Sequence, residues 1–266
     1  MPFPESKRVI YQQNPLVEVI CQLRFPTILE IAATEPAAFQ KKIRSTYPLY
    51  EKDEGGINFP KEAPKEILEA LSQLTSMRPV EHLTHKFLIE DSARLISLNR
   101  EFVAVTETQY KQWEHFREEI FRAKAALEEI YEPAFYTRIG LRYRDIIDRE
   151  ELGLTDTPWN SLINASLSGV LVAEAIYHQV EEIQSEALIK IDDVEGGHVK
   201  LRHGLARRIN DKRQVYQIDA DFFTQGRIAP NAVAEILAKF NRLSGNLFRW
   251  AITDTLREAL KPNPIE

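Results

Sequence analysis

Two stretches of this chain, PLVEVICQLRF at 15–25 and PAFYTRIGLRY at 133–143, share one layout: a leading Pro, alternating apolar and polar residues, and a closing Leu-Arg-aromatic triplet. A period of two places Val17, Val19, Cys21, Leu23 and Phe25 on one face of a strand and Glu18, Ile20, Gln22 and Arg24 on the other. In the second stretch Ile139, Leu141 and Tyr143 alternate with Arg138, Gly140, Arg142 and Arg144. Each of these half-apolar strands requires a layer to cover its apolar face. That requirement narrows the chain to antiparallel sheets backed by helices.

The elements after each strand follow a common order. In the first half, Thr34-Glu35-Pro36 opens a helix carrying Phe39 and Ile43, which Pro48 ends. Residues 51–64 read as loop with one short strand, and 64–76 as a short helix on Ile67, Leu68 and Leu71. The runs HLTHKFLIED and ARLISLNREFVAVTE read as strands joined near Asp91-Ser92. Trp113, Phe116, Ile120, Ala123, Leu127 and Ile130 then recur at spacings of three and four, one apolar stripe on a long charged helix that Pro133 ends.

In the second half, Thr157-Pro158-Trp159 opens a short helix with Leu162 and Ile163. Strand-like runs follow at about 168–192, 197–209 and 213–223, with turns at Gly196-Gly197 and Asn210-Asp211 and a bulge expected at 179–182. Pro230 opens a last long helix on Val233, Ile236, Leu237, Phe240, Leu247, Phe248, Ala251 and Leu256, with a bend expected at Ser244-Gly245-Asn246 and an end at Pro262. Leu23 and Leu141, Pro36 and Pro158, and Leu98 and Ile218 are separated by 118, 122 and 120 residues.

The expected fold is therefore α+β: an N-terminal arm (1–13) and two tandem strand–helix–antiparallel meander–long helix repeats (14–133 and 134–266), as separate repeats or one continuous globule. Each long helix packs on its sheet. The order is helix-grip-like, or that of a duplicated saddle, and order alone does not give function.

Composition bounds the chemistry. The net charge is −6, with 17 Lys+Arg against 21 Asp+Glu in residues 1–133 and 17 against 19 in 134–266. Neither half carries the broad positive field of a nucleic-acid binder. The single cysteine, Cys21, excludes an internal disulfide and a cysteine zinc cluster, and its place on the apolar face reads as a buried, inert thiol. No signal-peptide core and no membrane-length apolar run occurs, so a cytoplasmic protein is expected. GxxxxGK[ST], GxGxxG and GxSxG are all absent, which lowers the case for NTPases, dinucleotide enzymes and α/β-hydrolases.

The distinctive polar feature is an arginine row. Arg138, Arg142 and Arg144 share the face opposite Ile139, Leu141 and Tyr143; Arg24 holds the matching place in the first half, and Lys200 and Arg202 alternate with Val199 and Leu201. Guanidinium forks grip carboxylates and phosphates, so Arg24, Arg138, Arg142, Arg144 and Arg202 are the candidate binding residues for an anionic partner. The alternative is a solvated face with cross-strand ion pairs to Glu18, Glu186, Asp219 or Asp221. Neither the Asp219/Asp221 pair nor the six scattered histidines has a metal-binding pattern, and no cofactor is implied. Trp250 falls off the stripe of the last helix and marks a second buried face, such as a homodimer contact.

NPLVEV…QLRFP near the start, GLRYRD in the middle and FRWAITDTLRE near the end resemble a sporadically distributed bacterial family of about this length whose members open on an Asn-Pro-Leu-x-Glu-Val strand. The resemblance implies no catalytic residue or cofactor. Its sporadic distribution is the pattern of accessory, defence or toxin–antitoxin genes. The expected function is a non-catalytic, cytoplasmic binding protein that engages a protein or other anionic partner through its sheet faces. The rival is an enzyme or carrier with a ligand cavity between sheet and long helix, drawing on Asp148, His178, His203 and Asp219.

Overall fold

The computed structural model describes residues 2–53, 83–208 and 211–264. The helix expected at 64–76, most of the 51–64 loop, His82 and Asn210 lie outside the described residues. The fold is mixed α+β with antiparallel sheets, as the alternating runs require. The chain forms two compact units: unit 1 comprises Met1–Val19, Leu141–Thr224 and Ala234–Glu266, and unit 2 comprises Ile20–Gly140 and Gln225–Val233.

In unit 2 the elements are β2 (Leu16–Arg24, which begins in unit 1), α1 (Leu29–Ala33), α2 (Ala37–Ile43), β3 (Leu49–Asp53), β4 (Thr84–Leu88), β5 (Arg94–Asn99), β6 (Phe102–Glu107) and α3 (Trp113–Tyr131). The strand order is β3-β4-β5-β6-β2, antiparallel from β3 to β6. The stripe read from the sequence is the buried side of α3, which packs on β6 and α2. The Phe39 and Phe87 rings meet at 5.5 Å between α2 and β4. α1 is an element the sequence reading missed; it is short, and Ile31 is its one buried residue. A buried polar cluster sits under α3: the Tyr47 hydroxyl donates to Glu119 at 2.8 Å, and Arg94 pairs with Glu107 and approaches Glu119 at 3.6 Å.

Unit 1 holds β1 (Val9–Tyr11), most of β7 (Tyr136–Asp148), α4 (Ala165–Ser168), β8 (Ser185–Ile191), β9 (Gly197–Arg207), most of β10 (Gln214–Ile228), α5 (Val233–Ala251), α6 (Asp254–Ala259) and β11 (Pro262–Pro264). Its strand order is β7-β10-β9-β8, with the first residues of β2 beside β7. α5 covers one face of this sheet. Phe240 meets Phe222 of β10 at 6.1 Å, and the Tyr143 hydroxyl of β7 donates to Asn241 at 2.9 Å. Leu237, Phe240, Leu243 and Leu247 are fully buried under that helix.

Two readings of the sequence are corrected in unit 1, the strand at 168–192 and the end of the last helix. Residues 168–192 do not form one long bulged strand. Asn164 caps α4, Gly169 adopts φ +52, 3-10 turns follow at Gly169–Val172 and Tyr177–Gln179, and only Ser185–Ile191 is strand. A positive φ at Gly169 turns the chain where the apolar run alone suggested continuity. The last helix is continuous through 244–246. Asn246 is buried and accepts from the backbone and side chain of Ser6, so α5 runs through to Ala251. It ends well before Pro262: the backbone N–H of Asn164 takes the Ala251 carbonyl, Ile252 bridges Ile163, and Thr253 caps α6. The residues read as an arm are held at both ends. Phe3 is buried against Trp250 at 5.5 Å, and β1 pairs antiparallel with β11. Phe3 thus packs on Trp250, which stays half-buried.

Candidate functional site

The strand registers of unit 1 fix which side chains share the face turned away from α5. Asp219 of β10 lies opposite Arg202 of β9, which lies opposite Glu186 of β8. The next row is Asp221, Lys200 and Leu188, and the next is Phe223, His198 and Lys190. On β7, parity puts Arg142 and Arg144 on this same face. Four strands thus carry charge in rows rather than scattered.

The arginines are paired across strands with the carboxylates that the sequence reading named as alternatives. Arg142 donates Nε and Nη2 to the two Asp219 oxygens at 2.6 and 2.8 Å. Arg202 donates Nε to Glu186 at 2.6 Å and lies 3.8 Å from Asp219, while Lys200 lies 3.5 Å from Glu186. Arg144 is only 2% exposed, with Nε 3.9 Å from Glu18. Its Nε and Nη2 have no hydrogen-bond acceptor, and Glu18 Oε2 has no donor. Burial accordingly lowers the Arg144 pKa, with Glu18 opposing. Arg142 and Arg144 are thus floor rather than contact surface; the cations still reachable from solvent are Arg202, Lys200 and Lys190.

The remaining two candidate residues belong to unit 2. Arg24 is half-exposed and 3.8 Å from Glu101. Arg138 donates to Gln22 at 3.3 Å and lies across Gly140, where an added Cβ would come within 2.2 Å of the guanidinium. Gly140 is thus the gap that lets Arg138 lie flat along the strand.

Of the residues considered for acid–base chemistry, Asp148 is ion-paired with Arg208 and Arg213 at 3.2 and 3.0 Å, and Asp219 is held by Arg142. His203 shares a 2.8 Å hydrogen bond with the Tyr216 hydroxyl, and burial lowers its pKa. His178 lines a cleft whose walls, among the described residues, include none of α5. It is an open space of about 540 Å³ walled by Arg149, Trp159, Tyr177, Arg213 and Gln214 among others. The Arg149 guanidinium stacks 4.4 Å above the Trp159 ring and donates to the Thr157 carbonyl at 2.8 Å. Cys21 is buried, and desolvation raises its thiol pKa far above the usual range. Among the described residues no cluster of His, Cys, Asp or Glu could hold a metal, and no helix is long and apolar enough to cross a membrane.

Sequence reasoning passed over Asp145. It sits at the parity of Ile139, Leu141 and Tyr143, so the alternation that found the arginines also placed a carboxylate on the apolar face. Asp145 is buried there, and desolvation, with the charge of Asp219 second, pushes its pKa up to about 8. Arg149, Trp159 and Gln214 gave no local signal, because residues 55 and more apart in the chain build that cleft. No protein-family model matches the chain, and no curated protein matches it.

Proposed function

We propose that this chain is a non-catalytic binding protein that takes hold of an acidic protein partner through the polar face of the β7–β10–β9–β8 sheet. The observation that supports this most is the alignment of Arg202, Lys200, His198 and Phe223 in adjacent rows above a buried floor of ion pairs. The floor fixes side chains that would otherwise lose rotamer freedom on binding, so less ordering is left to oppose association. Arg142 and Arg144 hold that floor, Arg202 and Lys200 meet the partner's carboxylates, and the stacked His198–Phe223 pair adds apolar contact. Arg24 and Arg138 serve the corresponding role on unit 2. The resemblance to a sporadically distributed bacterial family supports an accessory role of the defence or toxin–antitoxin kind in the cytoplasm. Cross-linking and pull-down from the native cell test the reading. Lys200→Glu with Arg202→Glu should abolish partner capture while leaving the fold intact; capture equal to wild type would refute it.

The same reading includes descent by tandem duplication. Its support is the recurrence, in both halves, of strand, short helix, antiparallel strands and long helix, with β6-β5-β4 in one and β10-β9-β8 in the other. Sequences of related chains test it, because the offsets near 120 residues should link the halves in each of them.

A second reading, a carrier of a small anionic ligand, rests on the cleft at Arg149, whose guanidinium is held by a carbonyl and a ring rather than by a carboxylate. Thermal shift with carboxylated and phosphorylated small molecules, compared with Arg149→Ala, separates it from the first.

A further inference from the structure

Among the described residues β8 is the last strand of its sheet, and its outer edge has a definite chemistry. The Ile183 N–H donates to the Leu205 carbonyl at 3.0 Å, and the same alignment continues from Ser185 opposite His203 to Ile191 opposite Gly197. In an antiparallel ladder, hydrogen-bonded and non-bonded positions alternate. The odd-numbered residues of β8 therefore bond to β9, and the backbone N–H and C=O groups of Glu186, Leu188 and Lys190 point outward. Leu188 is 60% exposed on this edge. An edge that no described strand pairs with, and that carries an exposed leucine, is a template for another strand.

The sequence SEALIKI identifies the strand that fits. We propose that the outer edge of β8 pairs with β8 of a second copy of this chain, antiparallel about a two-fold axis through Leu188. In that register Leu188 faces Leu188 of the partner subunit. Glu186 faces Lys190 of the partner subunit, and the symmetric pair repeats it. On the other face of the pleat, Ala187 meets Ile189 of the partner subunit. The positions brought opposite each other are those whose backbone groups point outward, so the ladder and the side chains demand the same alignment.

A slip of two residues puts Glu186 against leucine and loses both charge pairs. Neither charge is committed elsewhere in a way that prevents this: Lys190 meets Asp192 at the surface, and the Glu186 carboxylate is half-exposed beside Arg202. The edge strand of unit 2, β3, reads LYEKD. The equivalent pairing about its centre would set Glu51 against Glu51 of the partner subunit, a like-charge clash. Self-association is thereby directed to β8.

Sedimentation velocity on the full chain between about 1 and about 100 μM, a range that spans weak single-strand interfaces, reads the outcome. The wild type should show a reversible monomer–dimer equilibrium. Lys190→Glu should weaken it by about tenfold or more, because glutamates then oppose each other at both ends. Combining Glu186→Lys with Lys190→Glu should bring the affinity back to within about threefold of wild type. Leu188→Arg, at a side chain already in solvent, should leave a folded monomer by circular dichroism. A wild type that stays monomeric throughout, or a dimer that survives both Lys190→Glu and Leu188→Arg unchanged, would overturn the proposal. A folded double variant that fails to recover dimerisation would overturn the register.

Discussion

Arg142 and Asp219 form a two-pronged ion pair between β7 and β10, with both Asp219 oxygens accepting from one guanidinium and the carboxylate 1% exposed. The pair is buried enough that either member alone becomes a liability. Asp219→Ala strands Arg142 next to the already under-satisfied Arg144 and should cost about 3 kcal/mol of stability. Replacing both, Arg142→Met with Asp219→Leu, should recover most of that loss. Urea unfolding of the two singles and the double forms a cycle that checks this, and strict additivity would contradict it.

Asp145 supplies a pH dependence of unusual sign. Its folded-state pKa, about 8, lies above the ordinary value of 3.8. Between those two values the unfolded chain ionises this carboxyl while the folded chain keeps it protonated. Its contribution to stability is therefore fully present below the ordinary pKa and is lost as pH rises toward 8, at no more than about 1.4 kcal/mol per pH unit. Tyr11, whose own pKa is raised by burial, lies in reach of the same charge. Asp145→Asn should match wild type near pH 4 and exceed it at pH 7. Thermal melts across that range measure the difference.

Gly204 has no tolerance for a side chain. Its φ is +152, and an added Cβ would lie 1.8 Å from the Ile183 carbonyl oxygen in the segment leading into β8. Gly204→Ala must push that backbone off β9 and should cost about 2–4 kcal/mol. Loss of amide-exchange protection should concentrate at 183–191 if the effect is local.

The Tyr47 hydroxyl satisfies a buried acid. It donates to Glu119, which is buried beneath α3 and shared with Arg94 and Arg122. Tyr47→Phe keeps the ring and removes one donor, so it should destabilise by about 1–2 kcal/mol. Glu119→Gln should lose less than Glu119→Ala in the same chemical-denaturation assay, since the amide keeps an acceptor for the hydroxyl.

What could be read in advance divides along the reach of the signal. Alternation at 16–24 and 138–144 and the stripe from Trp113 to Leu127 are local; strands and a helix stand at those places, the second strand running on to Asp148. The strand-like run at 168–192 misled because hydrophobicity cannot report that Gly169 turns the chain and that Ser168 donates its hydroxyl to the Ile163 and Asn164 carbonyls. The arginine row was legible in its facing but not in its burial. Whether Arg144 is reachable depends on Glu18 and on neighbours more than a hundred residues away. Asp145 is legible by parity alone, but its burial depends on the helix and strands packed over that face.

The clasp between Val9–Tyr11 and Pro262–Pro264 carries a consequence for biosynthesis. As the chain leaves the ribosome, the first strand of unit 1 emerges some 250 residues before the strand that receives it. The residues of unit 2 from Ile20 to Gly140 are complete long before then. At about 5–20 residues per second, Phe3 and Tyr11 wait for ten seconds or more with their apolar rings uncovered. Unit 1 therefore closes only after Pro262–Pro264 have been made, and its first strand stays without its partner until then.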